Sequence, residues 1–384
     1  MHVLYICNCI TLGGGNRSLL DMVDALKWDG IIPYFIFPLG GSLQERGLLR
    51  QELETRGFSY AFLSYEESVH REKDKNWYRI FTKQKRNRAA IQKMKTYVIK
   101  WKIDLIHSNS MTLMIGAQLA EAVKKPHIWH VREAVQEAYG YQYDRKAAYR
   151  YYLRRAKKII CISSYVKSAY SGLQKASNVS VLYNGLAIDR YLQEKRFAKD
   201  FEIKNILIAG TICENKGQMD AVLATEWIIK KYKDEKVHLY IAGNGEGAYF
   251  HKMQKHIQEN NLTEYITVLP FQKELGALRE KTDIALICSR SEAFGRTTIE
   301  SMLSGSLVVG CNSTGTKELI QDGVTGYLYE PGDIDELAQK LINILKNWEA
   351  QEKIVNRAKA YACQHFDNRV YAESIKKLYD DIME

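Results

Sequence analysis

The sequence predicts an α/β protein made of two doubly wound domains, each with a parallel sheet. Short apolar runs alternate with helix-length amphipathic segments along the whole chain, which is the pattern of βαβ units. This series stops at a polar connection and starts again near residue 204. A chain of 384 residues is also too long for one hydrophobic core of ordinary size.

The first half carries the first strand series, predicted from apolar runs of strand length. The expected strands are His2–Cys7, Tyr34–Pro38, Tyr60–Leu63, Asp104–His107, His127–Val131, Lys158–Ile162 and Val179–Leu182. We therefore expect a Rossmann-like domain over residues 1–190.

The second series predicts a second Rossmann-like domain over residues 191–365, with the hinge in the polar connection 184–204. Its expected strands are Ile206–Ala209, His238–Ala242, Ile266–Leu269, Ile284–Cys288 and Leu307–Cys311. The chain after Asp333 reads as three helices. The last helix, at about 366–384, is able to pack on either domain, including back on the first.

The amino-acid composition restricts the classes of protein to which this chain can belong. Apolar residues make up 46% and charged residues 26% of the chain, which excludes a disordered protein. We find no apolar run of bilayer length and no secretory signal, so we expect a cytoplasmic protein. The seven cysteines show no C-x-x-C or zinc-type spacing, which favours buried, reduced thiols.

The positive charge is confined to the first half. Residues 1–190 contain 30 Lys and Arg against 16 Asp and Glu, a balance of +14, and the remainder is at −4. Within this half, residues 71–102 hold 12 cations, two acids and several aromatic residues. This segment predicts contact with an anionic membrane surface or, as the alternative, a solvated helix face. We find no nucleic-acid-binding motif beside it.

Polar residues follow two strands of the first domain. A glycine-rich turn with Gly14 and Gly15 leads into a helix, where backbone N–H groups stabilise phosphate; a tight turn that needs positive φ is the alternative. His130, Arg132 and Glu133 end a buried strand, at the edge where open α/β sheets bind ligands. A structural histidine is the alternative for His130.

The segment 284–310 is one βαβ unit with two glutamates. Glu292 precedes the predicted helix and Glu300 lies about one turn inside it, so their carboxylates flank the free N–H groups of the first turn. This arrangement suits a nucleotide sugar, with the diphosphate on the N–H groups and the carboxylates on sugar and ribose hydroxyls. The alternative is an exposed Glu300 with Glu292 as a partner of the helix dipole.

The unit resembles the retaining GT-B glycosyltransferases of family 4, whose signature is two glutamates separated by seven residues. Here the signature is EAFGRTTIE, and the chain also carries, in the family's order, GGG, HVRE, YNG, GTICENKGQ, IAGNGE and DGVTGYLYEPGD. The resemblance implies two Rossmann-like domains that face a central cleft. It also implies retaining, metal-independent transfer from a nucleotide diphosphate sugar, first of all a UDP-sugar, to a lipid-linked or cell-surface glycan of the bacterial type.

The resemblance also implies roles for single residues. It makes His130, Glu292 and Lys216 catalytic, and it assigns Arg132 and Glu133 to the acceptor. The donor residues it implies are Gly14, Gly15, Arg17, Thr211, Lys216, Gly243, Asn244, Phe271, Glu292, Ala293, Phe294, Gly295, Arg296, Thr297, Thr298 and Glu300. Lys216 would contact the pyrophosphate, with a solvated loop lysine as the alternative.

One position departs from the family pattern. Many members have an arginine where this chain has Thr211, so a second phosphate cation must come from Arg17 or Arg296 or be absent. This departure keeps open a non-catalytic, sugar-nucleotide-binding or scaffolding protein. A Rossmann oxidoreductase is disfavoured, because no acidic residue ends the second strand.

Overall fold

The computed structural model describes residues 1–136, 140–170, 172–173, 176–193, 203–232, 236–272 and 274–384, without the side chain of Trp28. The chain forms two compact units, residues 1–186 with 368–384, and residues 187–367. The first unit thus ends at Leu186, where the sequence suggested residue 190. The predicted connection lies partly outside the described residues, since 194–202 are not among them.

The first unit contains a seven-stranded parallel sheet of order β3-β2-β1-β5-β6-β8-β9. A separate antiparallel pair, β4 with β7, was not predicted. The strand bounds are β1 His2–Ile6, β2 Ile32–Pro38, β3 Ser59–Leu63, β4 Val69–Arg71, β5 Leu105–Ser108, β6 His127–Val131, β7 Tyr141–Tyr143, β8 Lys158–Cys161 and β9 Val179–Val181.

The second unit contains a six-stranded parallel sheet of order β12-β11-β10-β13-β14-β15. Its strand bounds are β10 Lys204–Ala209, β11 Val237–Ala242, β12 Ile266–Leu269, β13 Ile284–Ile287, β14 Leu307–Cys311 and β15 Tyr327–Tyr329. Helices lie against both sheets, and central strands such as β6 and β14 are buried along their whole length, as parallel strands covered on both faces are. Two Rossmann-like units with parallel sheets confirm the predicted fold class.

The helices predicted after the glycine-rich turn and after Glu292 are both present. In chain order the described helices are α1 Gly14–Leu26, α2 Leu43–Thr55, α3 Trp77–Lys100, α4 Met114–Val123, α5 Lys146–Arg155, α6 Ser164–Ser168, α7 Gln218–Lys231, α8 Gly247–Glu259, α9 Gly276–Lys281, α10 Arg296–Leu303, α11 Thr314–Leu319, α12 Ile334–Lys346, α13 Gln351–His365 and α14 Asn368–Met383. No helix of the described part is long and apolar enough to cross a bilayer.

The C-terminal helix α14 packs on the first unit. Tyr371, Ile375 and Tyr379 are buried in the core that contains Tyr5. The Asn368 side-chain amide donates to the carbonyl oxygen of Asp21 in α1 (2.6 Å). The last helix therefore completes the first domain, although the sequence places it after the second.

All seven cysteines are free thiols. Four are buried, and Cys9, Cys213 and Cys363 are half-buried. The expectation of uniformly buried thiols is therefore wrong for these three, which lie near chain turns or on a helix flank rather than inside strands.

Candidate donor and acceptor sites

In the second unit, the predicted βαβ segment has the expected geometry. Strand β13 ends at Ile287, a loop follows, and α10 begins at Arg296. Gly295 precedes the helix with φ of +98°, a conformation that favours glycine. The N–H groups of a first helical turn have no intrahelical acceptor, so this helix end can receive an anion.

Glu292 lies in this loop and is held at its backbone and its side chain. Its N–H donates to the Thr314 hydroxyl (2.8 Å), and its carbonyl oxygen accepts from the Gly315 N–H (2.9 Å). Its carboxylate, 14% exposed, forms an ion pair with Lys216. Thr314 adopts φ of +44°, which is strained for a β-branched residue and marks a constrained turn behind Glu292.

Lys216 reaches the loop because of a close backbone contact. Gly217 has φ of +66°, and a Cβ atom there would lie 2.4 Å from the carbonyl oxygen of Cys288. Glycine is therefore required for the turn after β10 to approach β13. A small cavity at the carboxyl ends of these strands is lined by Lys216, Ser289 and Thr297, among others.

Glu300 is not the exposed carboxylate of the alternative interpretation. It is 12% exposed and paired with the Arg279 guanidinium, and its second oxygen lies 3.4 Å from Arg296 Nε. Arg296 in turn donates to the Tyr191 hydroxyl (3.3 Å). Arg279 is almost fully buried. The two arginines fix the carboxylate while leaving it acceptor capacity, because a carboxylate has about four lone-pair sites.

Arg279 was not predicted from the sequence. It lies in the short helix α9, 21 residues before Glu300 in the chain. The pair of Arg290 with Asp220 (3.1 Å) was not predicted either. Neither arginine belongs to a recognisable motif. Pairs of this kind form only when separate elements meet, so spacing along the chain carries no signal for them.

The glycine-rich turns of the second sheet lie close together. A Cβ atom on Gly243 would lie 1.9 Å from the Gly210 carbonyl oxygen, so only glycine fits there. Asn244 Oδ1 accepts from the Phe271 N–H (3.0 Å), and the Phe271 ring is 58% exposed. The Thr211 carbonyl oxygen accepts from Gln218 (3.0 Å). This edge offers an exposed ring and backbone groups suited to a nucleoside.

Three further predicted donor residues differ in what they offer. Phe294 is buried and packs edge-to-face on Phe366, so only its backbone can contact a ligand. Thr298 is also buried, and no partner is found for its hydroxyl among the described residues. Ala293 is half-buried in the loop beside Glu292.

A D-x-D triplet, Asp333 to Asp335, precedes and opens α12. The Asp333 carboxylate accepts a hydrogen bond from the Glu336 N–H (2.8 Å) and so caps this helix. Among the described residues there is no group of three or more His, Cys, Asp and Glu side chains placed to hold a metal ion.

In the first unit, the glycine-rich turn forms the start of α1. Gly13 precedes the helix with φ of −74°, and neither Gly14 nor Gly15 has positive φ. The alternative of a turn that requires positive φ is therefore wrong. Arg17 Nε donates to the Leu12 carbonyl oxygen (2.9 Å). Arg17 and Arg296, the two expected substitutes for the missing arginine, thus both have protein partners.

His130 lies in a buried hydrogen-bond network. Its Nδ1 is 3.1 Å from His107 Nε2, and its Nε2 is 3.2 Å from the Tyr371 hydroxyl. His107 contacts the Tyr379 hydroxyl in turn (2.7 Å). Burial lowers the pKa of His130 well below its ordinary value. Because protein atoms occupy both ring nitrogens, the structure favours the structural alternative over direct contact with a sugar.

Arg132 is buried as well, and it organises the end of β6. It donates to Asn109 (2.5 Å) and Asn184 (2.8 Å), and it lies 3.3 Å from His130 Nδ1. Asn184 is the asparagine of the YNG motif. A guanidinium engaged in this way positions the strand end, and it is a poor candidate for direct contact with an acceptor.

Glu133 is half-buried at the carboxyl edge of the sheet. It accepts a hydrogen bond from Ser110, whose hydroxyl contacts Thr112 (2.7 Å), and Thr112 donates to Glu67 (2.6 Å). Burial, and secondarily the nearby Glu67 carboxylate, raises the pKa of Glu133 to about 7. Glu67, which also accepts from Asn8 (3.0 Å), was not predicted from the sequence. The two carboxylates make this edge a candidate acceptor site.

Comparison with known proteins supports the class that this fold and site indicate. Residues 12–190 match the model of Glycosyltransferase Family 4, and residues 189–361 match that of Glycosyl transferases group 1. The fold is GT-B, the chain resembles the family 4 glycosyltransferases, and the matches support a transferase that uses a nucleotide sugar.

Individual relatives agree with this class. An uncharacterized glycosyltransferase of Methanocaldococcus jannaschii is 24% identical over 284 residues, which are 73% of this chain and 76% of the relative. The phosphatidyl-myo-inositol mannosyltransferase of Mycobacterium leprae is 27% identical over 183 residues, 47% of either chain. Among solved structures, Anabaena HepE in complex with UDP superposes with a TM-score of 0.80 at 19% identity, over 99% of this chain and all of HepE.

Proposed function

We propose that this protein is a retaining glycosyltransferase that moves a sugar from a UDP-sugar to a lipid-linked or cell-surface glycan. The observation that carries the proposal is the loop before α10, where Glu292 pairs with Lys216 at an open helix N-terminus. The crystal structures of HepE with UDP and with UDP-glucose, which share the fold, support UDP as the nucleotide.

Each part of this site has a task in donor binding. The diphosphate binds the N–H groups of the first turn of α10 and the Lys216 ammonium, which neutralises charge on the leaving group. Glu300, oriented by Arg279, accepts hydrogen bonds from the ribose diol, as the family signature implies. Glu292 accepts from sugar hydroxyls. Since Lys216 is paired with Glu292 in the structure, a diphosphate competes with Glu292 for this ammonium.

In the proposed reaction, the acceptor hydroxyl attacks the anomeric carbon on the face that the phosphate leaves, and the leaving phosphate takes the hydroxyl proton. The protein contributes position and charge stabilisation without a covalent nucleophile. Retention is tested by proton NMR of the first product from a UDP-α-sugar. An α anomer supports the proposal, and an initial β anomer contradicts it.

Glu133 and Glu67 are the groups we assign to the acceptor, because their hydroxyl-lined carboxylates suit sugar hydroxyls. Arg132 and His130 support this edge from within the core. We also propose that no divalent cation is needed, since the family resemblance requires none and Asp333 is committed to a helix cap. Activity in the presence of EDTA is expected; complete loss that added metal restores contradicts this part.

The exposed side of α3 suits an anionic membrane surface. The helix contains eight Lys and Arg and no acidic residue, and Trp77, Tyr78 and Phe81 are exposed at its first turns. Each cation near anionic lipid contributes about 1 kcal/mol. We expect co-sedimentation with anionic vesicles at low salt, weakened in Trp77→Ser/Phe81→Ser. Absence of co-sedimentation contradicts peripheral association on the cytoplasmic side of a membrane.

A non-catalytic, sugar-nucleotide-binding protein is the second candidate, and Thr211 in place of an arginine favours it. The variant Glu292→Ala separates the two candidates. An enzyme hydrolyses or transfers sugar from UDP-sugar, and Glu292→Ala loses this activity at least about tenfold while it still binds UDP, as expected for the loss of a charge-assisted hydrogen bond. A parent protein that binds UDP-sugar but never consumes it is the outcome that favours the second candidate.

A further inference from the structure

A second cavity of about 510 Å³ opens on the first unit, at the amino ends of β6 and β8. Its walls come from the end of α4, the residues before the two strands, and the end of α14. Glu133 lies beyond the carboxyl end of β6, so the cavity is at the opposite edge of the sheet from the proposed acceptor residues. Its volume is that of a small-molecule site.

The cavity is strongly cationic. Lys124, Lys125, Arg155 and Lys157 line it, and Glu121 is the acid in its lining, which leaves a balance of four minus one, or +3. The Glu121 carboxylate accepts from the hydroxyls of two tyrosines, Tyr151 (2.7 Å) and Tyr152 (3.1 Å). Its nearest cation in this lining is Arg155, at 3.6 Å. The three lysines are therefore not neutralised by this acid.

A buried histidine also belongs to the wall of the cavity. His127 is 5% exposed, and its Nε2 contacts the Ser108 hydroxyl (2.9 Å). No partner is found for its Nδ1 among the described residues. This nitrogen is itself shielded from solvent, so the ring does not present it to a ligand in the cavity. Burial lowers the pKa of His127 to about 3, so the ring is neutral at pH 7 and adds no charge to the lining.

The remaining walls are apolar. They are formed by Ala117, Ala120, Pro126, Ala156, Ile382 and Met383. Inorganic phosphate alone leaves such walls exposed to water, whereas an alkyl chain covers them and gains affinity with each buried methylene.

We propose that this cavity binds an alkyl phosphate: the lysines contact the phosphate, and the apolar walls contact the chain. Lysine binds phosphate as a compact point charge, and a phosphate offers three acceptor oxygens. The ligand is either a soluble phosphate ester or the headgroup region of an anionic lipid, which share this chemistry. The inference is independent of the proposed donor site in the second unit.

The chain offers a matched pair of variants for a test. Lys124 and Lys102 both follow helices, at φ of +54° and +51°, where the left-handed backbone conformation favours glycine over lysine. Lys124→Gly and Lys102→Gly therefore remove one charge each and relieve the same backbone strain. Both are expected to fold. Lys124 lines the cavity, and Lys102 is outside its lining.

The test is calorimetric titration of the full chain with hexyl phosphate, inorganic phosphate and 1-hexanol. Hexyl phosphate is expected to bind at least about tenfold more tightly than inorganic phosphate or 1-hexanol. Lys124→Gly is expected to weaken the binding of hexyl phosphate about fivefold, whereas Lys102→Gly should weaken it less than twofold. Equal weakening in both variants, or no binding of hexyl phosphate to the parent, overturns the proposal. UDP binding should be unchanged in both variants.

A vesicle arm identifies the source of the ligand. Phosphatidylcholine vesicles with phosphatidic acid are compared with phosphatidylcholine alone. If Lys124→Gly weakens the binding of both hexyl phosphate and the phosphatidic acid vesicles, the ligand is a lipid headgroup. If it weakens the binding of hexyl phosphate alone, the ligand is a soluble phosphate ester.

Discussion

Replacing Gly315 by alanine tests whether the position of the Glu292 loop matters for activity. A Cβ atom there would lie 2.7 Å from the Glu292 carbonyl oxygen and 2.9 Å from that of Phe294. The loop or α11 has to retreat by about 0.8 Å to restore an ordinary contact near 3.5 Å. Overpacking of this kind costs about 1 to 3 kcal/mol of stability. A displacement near 1 Å in an active site costs roughly a hundredfold in rate.

We therefore expect Gly315→Ala to lower kcat/KM for UDP-sugar by about ten- to a hundredfold, in initial-rate assays below its melting temperature. No catalytic side chain is altered. Gly276→Ala is the matched control, because among the described residues no atom beyond its chain neighbours and its own helix backbone lies within 4 Å of the added Cβ, and its activity should stay within twofold. If Gly315→Ala keeps parental activity and melts like the parent, the position of the Glu292 loop does not limit activity.

Three further predictions concern ionised groups. Glu292→Gln frees Lys216, so UDP should bind equally well or up to about fivefold more tightly by calorimetry while transfer is lost; weaker UDP binding contradicts the proposed competition. Arg279→Met removes one of the two arginines paired with the Glu300 carboxylate, so chemical denaturation should show a decrease of about 3 kcal/mol in the free energy of unfolding. The double variant Arg279→Met/Glu300→Leu should recover part of this decrease. An unchanged free energy of unfolding in the single variant refutes the importance of this pair. Because the pKa of Glu133 is raised to about 7, its contribution to the stability of the folded protein is complete below the unfolded pKa near 4.5 and is lost as pH rises through about 7. Glu133→Gln should therefore be as stable as the parent at pH 4 and more stable by about 1 to 2 kcal/mol at pH 8. The opposite pH trend contradicts the burial of this carboxyl.

The sequence was sufficient for most strands of the two main sheets because these strands are largely apolar runs. The bounds of β6, β12 and β14 were predicted to the residue. The strands it missed, β4, β7 and β15, have three residues each, too few for a period to show. The first two pair only with each other, across about 70 residues of chain.

The candidate site, like the fold, was predictable from the sequence only in part. The loop and helix that hold Glu292 and Glu300 follow from local spacing and turn residues, and the structure has them where expected. The hydrogen bonds that occupy both ring nitrogens of His130 could not be predicted, because its partner Tyr371 is 241 residues away in sequence, on α14. Arg279 was missed for the same reason: its pairing depends on which helix packs beside α10.

Calorimetric titration with a panel of nucleotide sugars, for the parent and for Lys216→Met, tests whether the second unit binds a nucleotide sugar through Lys216. We expect the parent to bind a UDP-sugar and Lys216→Met to weaken this binding at least about tenfold, because the variant loses a charge-assisted contact to the diphosphate. The control is Lys230→Met, which removes a helix-surface lysine of the same unit and should bind like the parent. Failure of the parent to bind any nucleotide sugar, or equal binding by Lys216→Met, would contradict this expectation.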